Sequence, residues 1–370
     1  QAAYDTPIAL GVLNGREVPL QMIPQEGDRI CFLDMNSVES YNTYISTFLF
    51  VLIAAMNRAR PQVMLEVQNT FGNALYCDIK NKIVLSDYDL ADVAAEMKAM
   101  IQEKTPITLS FKKKQEAWSY VKPRFYCDQA PLLSALPDDV EIPVYELDGV
   151  SAYFVNPLLP HLGYLKEFEL IRMGSGILLR YGKRGHYDRL EPFARRDKLA
   201  AVYADSEKMG QRLHCPTVAA LNQFIKRGNS REIILACEAQ HEKKIAQIAD
   251  AIASEERGVR LVLIAGPSSS GKTTFSQRLA VQLRVNGMRP IPISMDNYFK
   301  ERKDTPRLPD GSYDFESLGA LDTDLFNEQL HELLQGKTVT IPHFSFHTGT
   351  RSYRDQKEQL GDDGVLIVEG

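Results

Sequence analysis

The sequence predicts an α/β fold with a parallel sheet in its C-terminal part, preceded by an α+β domain and a small β-rich module. Three observations predict this order. A glycine-rich loop, Gly266 to Thr274, lies between a short apolar run and a helical pattern. Further apolar runs after it suit buried parallel strands. Upstream, Tyr41 to about Pro216 alternates helical and strand-like patterns, which is typical of an α+β domain.

Composition limits the class of protein. The chain has 370 residues, of which 44% are hydrophobic, so it is long enough for two or three domains with real cores. Its net charge of −5 gives no global basic surface, so wholesale binding to nucleic acid is not indicated, and a local basic face stays open as an alternative. The five cysteines form no C-x-x-C pair, so we expect free thiols in a reducing cytoplasm. They are Cys31, Cys77, Cys127, Cys215 and Cys237.

The longest nearly apolar run, Ile45 to Met56, is shorter than the roughly 20 residues that cross a bilayer. We therefore predict a buried helix there and no membrane partner. The chain lacks an initiator Met and stops at Gly370 directly after a strand-like run, so we expect it to be a piece of a longer protein. From these patterns we predict four segments: residues 1–38, 39–216, 217–258 and 259–370.

The first three segments are read from local patterns. Residues 1–38 show short strand-like runs broken by Asn14-Gly15, which suits a small β-rich module. Within 39–216 we predict a helix over Leu90 to Glu103 and a strand over Gly176 to Tyr181. Residues 217–258 are mostly helical in pattern, and we interpret them as a connector that leads into the strand before the glycine-rich loop.

The glycine-rich loop fits a phosphate-binding loop at every required position. Its two glycines allow the backbone to curl so that successive N–H groups converge on phosphates. Lys272 would supply a positive charge for the β and γ phosphates, and the Thr273 hydroxyl would bind Mg²⁺. An ordinary glycine turn is the alternative, which the flanking strand and helix patterns disfavour. The candidate triphosphate-binding residues are Gly266, Pro267, Ser268, Ser269, Ser270, Gly271, Lys272, Thr273 and Thr274.

Around this loop the pattern is that of a doubly wound fold. The predicted strands and helices alternate, as βα units do, and a possible hairpin comes after them. The predicted strands are 260–265, 289–295 and 364–368, the helices are 272–286 and 322–335, and the hairpin would comprise 338–341 and 344–346.

Two carboxylates lie just after predicted strands and are therefore candidates for chemistry. Ligands of open α/β sheets gather outside the carboxyl ends of the strands, so Asp296 would face the reaction centre. There it could accept the proton of an attacking hydroxyl or hold magnesium through water. Glu369 ends a buried strand and would help to hold Mg²⁺ beside Thr273. The alternatives are a turn or helix-cap role for Asp296 and an exposed strand end for Glu369.

Five ordered motifs in about 110 residues resemble those of the uridine kinase family. The resemblance implies a P-loop kinase domain, incomplete at its C-terminal end, that uses ATP and Mg²⁺. It implies that Asp296 is the base for a nucleoside 5′ hydroxyl and that Thr273 and Glu369 serve magnesium. The motifs are 266–274, 294–299, 313–316 with 320–322, 336–342 and 367–370. The implied substrate-binding residues are Tyr298, Phe299, Glu316, Phe344 and Arg351, with Glu316 at the ribose and the two neighbouring aromatic residues near the base.

The sequence departs from the pyrimidine-specific members of this family. Those members carry a Tyr and a His that read the base, whereas Phe344 and Gly349 stand at the matching places here. We interpret His343 and His347 as loop histidines rather than base readers. Phosphoryl transfer to a ribose hydroxyl is therefore the more secure inference, and uridine as the acceptor is the less secure one.

The front half resembles threonyl-tRNA synthetase. Residues 9–28 are similar to the latter part of its β-grasp TGS module, and residues 41–203 to its second additional domain, mainly at 73–79 and 163–168. In the synthetase, His and Cys side chains surround an editing site. The places matching them hold Tyr44, Phe48, Phe154 and Leu158, so the resemblance implies that zinc binding and editing are absent.

These patterns lead to one main hypothesis and two alternatives. The main one is an ATP- and Mg²⁺-dependent nucleoside kinase, which we expect to be a homo-oligomer, fused to a synthetase-like front half that has lost its editing chemistry. The second is a nucleotide-gated protein whose front half binds RNA or a nucleotide, for which 112–114 and 180–196 offer basic residues. The third is a kinase for another small hydroxyl compound, such as a phosphosugar or a vitamin.

Overall fold

The computed structural model describes Tyr4, residues 6–120, Leu133, and residues 136–193, 196–254, 256 and 258–370. Cys127 lies outside the described residues, whereas the other four cysteines are free thiols. The chain divides into two compact units, Gln1–Asn229 and Ser230–Gly370. The predicted connector, 217–258, is therefore split between them.

The first unit begins with a small antiparallel sheet. Its strands are β1 (Ile8–Leu13), β2 (Arg16–Val18) and β3 (Ile30–Asp34), in the order β2-β1-β3. Asn14 and Gly15 connect β1 to β2 and both have positive φ, as a two-residue hairpin turn requires. The sheet agrees with the predicted β-rich module, while its identification as a TGS module stays a prediction.

The rest of the first unit combines helices with two antiparallel sheets, of order β4-β5-β10-β9 and β6-β7-β8. The elements are α1 (Val38–Ala59), β4 (Leu65–Thr70), β5 (Ala74–Ile79), α2 (Asp87–Gln102), β6 (Thr108–Lys113), α3 (Lys114–Tyr120), β7 (Glu141–Leu147), β8 (Val150–Ala152), β9 (Phe168–Met173), β10 (Gly176–Tyr181), α4 (Asp197–Arg212) and α5 (Val218–Lys226). Helix α2 and strand β10 lie where the periodicity predicts them.

Helix α1 is the central core helix of this unit. Ser37 caps its N-terminus by accepting a hydrogen bond from the backbone N–H of Ser40. An 18-residue window of this 22-residue helix has a mean hydropathy of 1.2, so among the described residues it is the helix that is long and apolar enough to cross a membrane. Most of its apolar side chains, including Phe48 and Met56, are instead buried in the core of the first unit. This is the arrangement of a core helix, as predicted for Ile45 to Met56.

The second unit is built around a parallel sheet of order β11-β15-β12. All six residues of the central strand β15 are buried, which explains its continuous apolar run. The elements are α6 (Ser230–Ala253), β11 (Leu261–Ile264), α7 (Lys272–Val285), β12 (Arg289–Ser294), α8 (Thr323–Leu334), β13 (Thr338–Ser345), β14 (Thr350–Gln359) and β15 (Gly364–Glu369). Strands β13 and β14 form a separate hairpin.

Helix α6, which lies within the predicted connector 217–258, packs on helix α7 of the second unit. Its buried residues Ile245 and Ala249 pack against Leu279 and Leu283 of α7. Spacing of four places them on one helix face, which is thereby removed from water. The helix is therefore packed into the second unit, and the role of 217–258 as a connector stays a prediction.

Candidate active site

The glycine-rich loop joins β11 to α7 in the conformation that its glycines predict. Gly271 has a φ of 84° and caps the N-terminus of α7, which leaves the first N–H groups of the helix free at the loop. A Cβ on Gly266 would lie 2.8 Å from Ser270 Oγ, so a larger residue would crowd the loop. Ser269 also has a positive φ, of 59°, which is uncommon outside glycine.

The side chain of Lys272 is held by hydrogen bonds to backbone carbonyl groups of the glycine-rich loop. Its Nζ atom donates to the carbonyl oxygens of Gly266, at 2.9 Å, and Pro267, at 3.2 Å. The ammonium group is thus placed on the concave side of the loop, where it can reach an anion bound by the backbone N–H groups.

The parallel sheet brings Glu369 to the same place. Glu369 ends β15 and is paired in register with Ile264 of β11 on one side and Ser294 of β12 on the other. Its carboxylate is largely buried, and Oε2 accepts a hydrogen bond from Thr273 Oγ1 at 3.2 Å. These are two hard oxygen donors at the start of α7, and they fit the ligand preference of Mg²⁺.

Asp296 lies in the short 3₁₀ turn, Met295–Tyr298, that comes after β12. Partial burial raises the pKa of its carboxyl group, and the negative charge of Glu369 raises it further, while Lys272 acts in the opposite direction. A carboxylate that binds its proton more readily than usual is a better base for a hydroxyl group.

One cavity of about 690 Å³ brings these groups together. It is lined by Asp296, Glu369 and Glu316 and by most of the glycine-rich loop, including Lys272 and Thr273. The predicted base, the predicted metal-binding pair and the phosphate-binding lysine therefore face one space. Their individual roles stay predictions.

Aromatic side chains form the far wall of this cavity. The Phe299 ring lies 5.2 Å from Phe346, 5.7 Å from Phe344 and 6.1 Å from Phe315, measured between ring centroids. Phe315 and Phe346 line the cavity and were missed as candidates from the sequence. Both residues stand close in sequence to predicted substrate-binding residues, which could have identified them. Phe315 directly precedes Glu316, and Phe346 stands two residues beyond Phe344 on the hairpin.

Three of the predicted substrate-binding residues do not line the cavity. Tyr298 is 1% exposed, and its hydroxyl donates to Gln329 Oε1 at 2.9 Å inside the core. Adjacent side chains in this turn point in different directions, so Phe299 reaches the cavity and Tyr298 does not. Phe344 is 5% exposed and lies behind Phe299 and Phe346.

Arg351 forms hydrogen bonds to the backbone next to the cavity rather than lining it. Its Nη1 atom pairs with Asp322 at 2.8 Å, and Nη2 donates to the carbonyl oxygens of Tyr298 and Phe299. It thus holds the segment that presents Phe299.

His343 lies on strand β13, opposite Ser352, and not in a loop as expected. His347 lies in the turn between β13 and β14, so it agrees with that interpretation.

The four positions matched to synthetase ligands lie in the core of the first unit. Tyr44 and Phe48 contact each other edge to face at 5.0 Å, and Phe154 contacts Phe50 at 5.2 Å. Leu158 is fully buried. Burial also raises the pKa of the Tyr44 hydroxyl, so this group stays neutral. Packed rings fill this region.

Several basic side chains of these stretches in the first unit pair with nearby acids. Lys112 bonds to Glu116 at 2.8 Å, and Lys114 to Asp138 at 2.9 Å. Arg180 pairs with Glu169. Residues 194 and 195, within the stretch 180–196, lie outside the described residues. Local pairing weakens the case for an RNA-binding face at the described positions.

Comparison with known proteins finds different relatives for different parts of the chain. Residues 261–370 match the model of the "Phosphoribulokinase / Uridine kinase family". A uridine kinase of Mycoplasma genitalium is 34% identical over 116 residues, which cover 31% of this chain and 53% of that protein. A threonine–tRNA ligase of Chlamydia trachomatis is 27% identical over 165 residues, or 44% of this chain and 26% of that protein.

A solved structure, described as a possible uridine kinase from Bacillus stearothermophilus, is 27% identical, with a TM-score of 0.31 over 35% of this chain and 71% of that chain. The chain spans about half the length of the Mycoplasma kinase and about a quarter of the Chlamydia ligase. Residues 261–370 thus resemble the phosphoribulokinase/uridine kinase family, and the front half is similar to threonine–tRNA ligase.

Proposed function

We propose that this protein transfers the γ-phosphoryl group of ATP to the 5′ hydroxyl of a nucleoside. The observation that carries the proposal is the cavity in which Lys272, Asp296 and Glu369 meet beside an aromatic wall. The similarity to the kinase family supports a phosphotransferase, and the charged groups around the cavity support a nucleoside and ATP as its two substrates.

In the proposed reaction, Asp296 orients the acceptor hydroxyl and accepts its proton. The 5′ oxygen forms a bond to the γ phosphorus, the bond to the β–γ bridging oxygen breaks, and ADP leaves. Lys272 and the loop N–H groups stabilise the charge on the phosphate oxygens. Thr273 and Glu369 would hold Mg²⁺, which neutralises further charge on the phosphates.

The aromatic wall supports a flat acceptor. Phe299, Phe315 and Phe346 present ring surfaces on which a base can stack, and Glu316 beside them can accept hydrogen bonds from ribose hydroxyls. With Phe344 at the position of a base-reading Tyr, the base would be held by stacking and shape. A phosphosugar, which has no ring system to stack, fits this wall less well.

For the front half, we propose a role without zinc-dependent editing, since Tyr44, Phe48, Phe154 and Leu158 lie buried where the resemblance expects metal ligands. Similarity to a threonine–tRNA ligase keeps RNA as a possible ligand class. Nucleotide-gated RNA binding is therefore the competing function.

The test is formation of nucleoside monophosphate by the full-length protein with ATP, Mg²⁺ and a panel of nucleosides. Changing Lys272→Ala removes the loop cation, so we expect at least about a 100-fold loss of turnover with the fold retained. Lys303→Ala is the matched control, because the Lys303 side chain is 74% exposed and lies outside the cavity.

Undiminished turnover in the Lys272 variant would overturn the assignment of the site. A wild-type protein that makes no monophosphate, but whose affinity for RNA changes with nucleotide, would replace the kinase with the regulatory function.

A further inference from the structure

A second cavity, of about 510 Å³, lies against the same glycine-rich loop. It shares Ser270, Gly271, Lys272 and Thr274 with the cavity that contains Asp296. Its other lining residues are His241, Ile264, Ala265 and Phe275. The beginning of α7 is therefore flanked by two spaces, and the acidic groups line only one of them.

His241 is the unexpected member of this lining, because it precedes the region that matches the kinase family. It lies on α6, four residues before Ile245 and eight before Ala249, so the three share one helix face. Ile245 and Ala249 are the residues that α6 buries against α7. His241 continues that face to the first turn of α7, where Thr274 and Phe275 lie.

Helix α6 is fastened to α7 by polar contacts at two levels. The Glu242 carboxylate accepts hydrogen bonds from Arg278 Nε and Gln282 Nε2, both at 2.8 Å. Two turns further on, Asn286 Nδ2 donates to Asp250 Oδ1 at 2.9 Å. His241 is adjacent to Glu242, so its backbone is fixed relative to the loop.

We propose that this second cavity holds the purine base of the phosphate donor, with the His241 imidazole as one wall. The inference rests on the proposed function. If the γ phosphate faces Asp296, the base must lie at the other end of the phosphate chain, and the shared loop residues connect the two spaces. Ile264 and Phe275 offer apolar surface to a flat ring, and the imidazole offers a face for stacking and a nitrogen for hydrogen bonding.

The test separates recognition of the base from recognition of the phosphates. Binding of ATP and of inorganic tripolyphosphate, which has no base, is measured by calorimetry on the full-length protein. We expect His241→Ala to weaken ATP binding about tenfold, the typical effect of removing one stacking partner, and to leave tripolyphosphate binding within about twofold. His241→Phe keeps a stacking face and should retain ATP affinity within about threefold.

Lys243→Ala is the control, since Lys243 is an exposed residue of the same helix that lines neither cavity. Unchanged ATP affinity in the His241→Ala variant, or equal weakening of both ligands, would overturn the inference while leaving the kinase proposal intact. Failure of the wild-type protein to bind either ligand would overturn the proposed function, and this site with it.

Discussion

The cavity of the kinase domain is lined by charged side chains, whereas the core of the front half is filled by aromatic ones. In the kinase domain, Lys272, Asp296 and Glu369 converge on one space. In the front half, the positions matched to synthetase ligands hold side chains such as Tyr44 and Phe48, which are buried against one another. The difference teaches that the second unit keeps charged groups around an open space, whereas packed rings fill the corresponding volume in the first unit.

The two regions also differ in how their side chains contribute to the free energy of unfolding. Burial of Phe48 removes apolar surface from water and stabilises the first unit. Partial burial of Asp296 next to Glu369 disfavours its charged form, which raises its pKa and costs stability at neutral pH. Charged groups around the cavity are therefore expected to lower stability where packed rings raise it, and three measurements test this contrast.

The largest effect is expected for Asp296→Asn in the kinase domain. Asn cannot accept the proton of the acceptor hydroxyl, so we expect turnover to fall about 10²- to 10⁴-fold while ATP binding persists. Steady-state kinetics of the full-length protein measure this. Asp304→Asn, an exposed surface change, should keep wild-type rates, and similar rates for both variants would remove the base assignment.

The next effect is expected for Phe48→Ala in the front half. Phe48 is fully buried and contacts Tyr44, Phe168 and Tyr181, so its removal leaves a cavity and should cost about 3–5 kcal/mol of unfolding free energy. Denaturant unfolding, monitored by a signal from the first unit, gives this value.

Tyr88→Ala supplies the matched aromatic control, because Tyr88 is 85% exposed and should change stability by less than about 0.5 kcal/mol. Equal and small effects for the two variants would mean that rings at the Phe48 position do not fill a core, and the contrast between the two regions would fail.

The smallest effect concerns the pH dependence of stability at Asp296. Its folded-state pKa is raised above the ordinary value of 3.8, so the ionised form is disfavoured in the folded protein. We therefore expect Asp296→Asn to raise the midpoint of thermal unfolding at pH 7. This gain should shrink as the pH falls through the raised pKa and vanish below the ordinary value, where the carboxyl is protonated in both states. A gain that is constant with pH would contradict the charge explanation.

Much of the kinase domain could be predicted because local and long-range signals coincide there. The apolar runs ending at Ile264, Ser294 and Glu369 suit parallel strands, and the glycine-rich loop indicates that a helix begins directly after the first of these strands. Strand β14 was missed as an element because Thr350–Gln359 is rich in polar and charged residues, and only pairing with β13 makes it a strand.

The acceptor side was harder to predict because it depends on side-chain direction. Tyr298 and Phe299 are adjacent aromatic residues, and the sequence does not reveal which one turns toward the core. His241 was missed for another reason. Its place beside the loop results from the packing of α6 on α7, which no local pattern around His241 encodes.

The buried residues of strand β15 determine where the carboxylate of Glu369 lies. Side chains alternate between the two faces of a strand, so a shift of one residue in its pairing with β11 and β12 would turn Glu369 away from Thr273. A substitution among the apolar residues Val365 to Val368 that altered this alignment would misplace the carboxylate without touching any group that meets a substrate. Loss of activity in such a variant would then result from a shifted strand register, because the packing of the apolar residues fixes the position of Glu369 at the end of the strand.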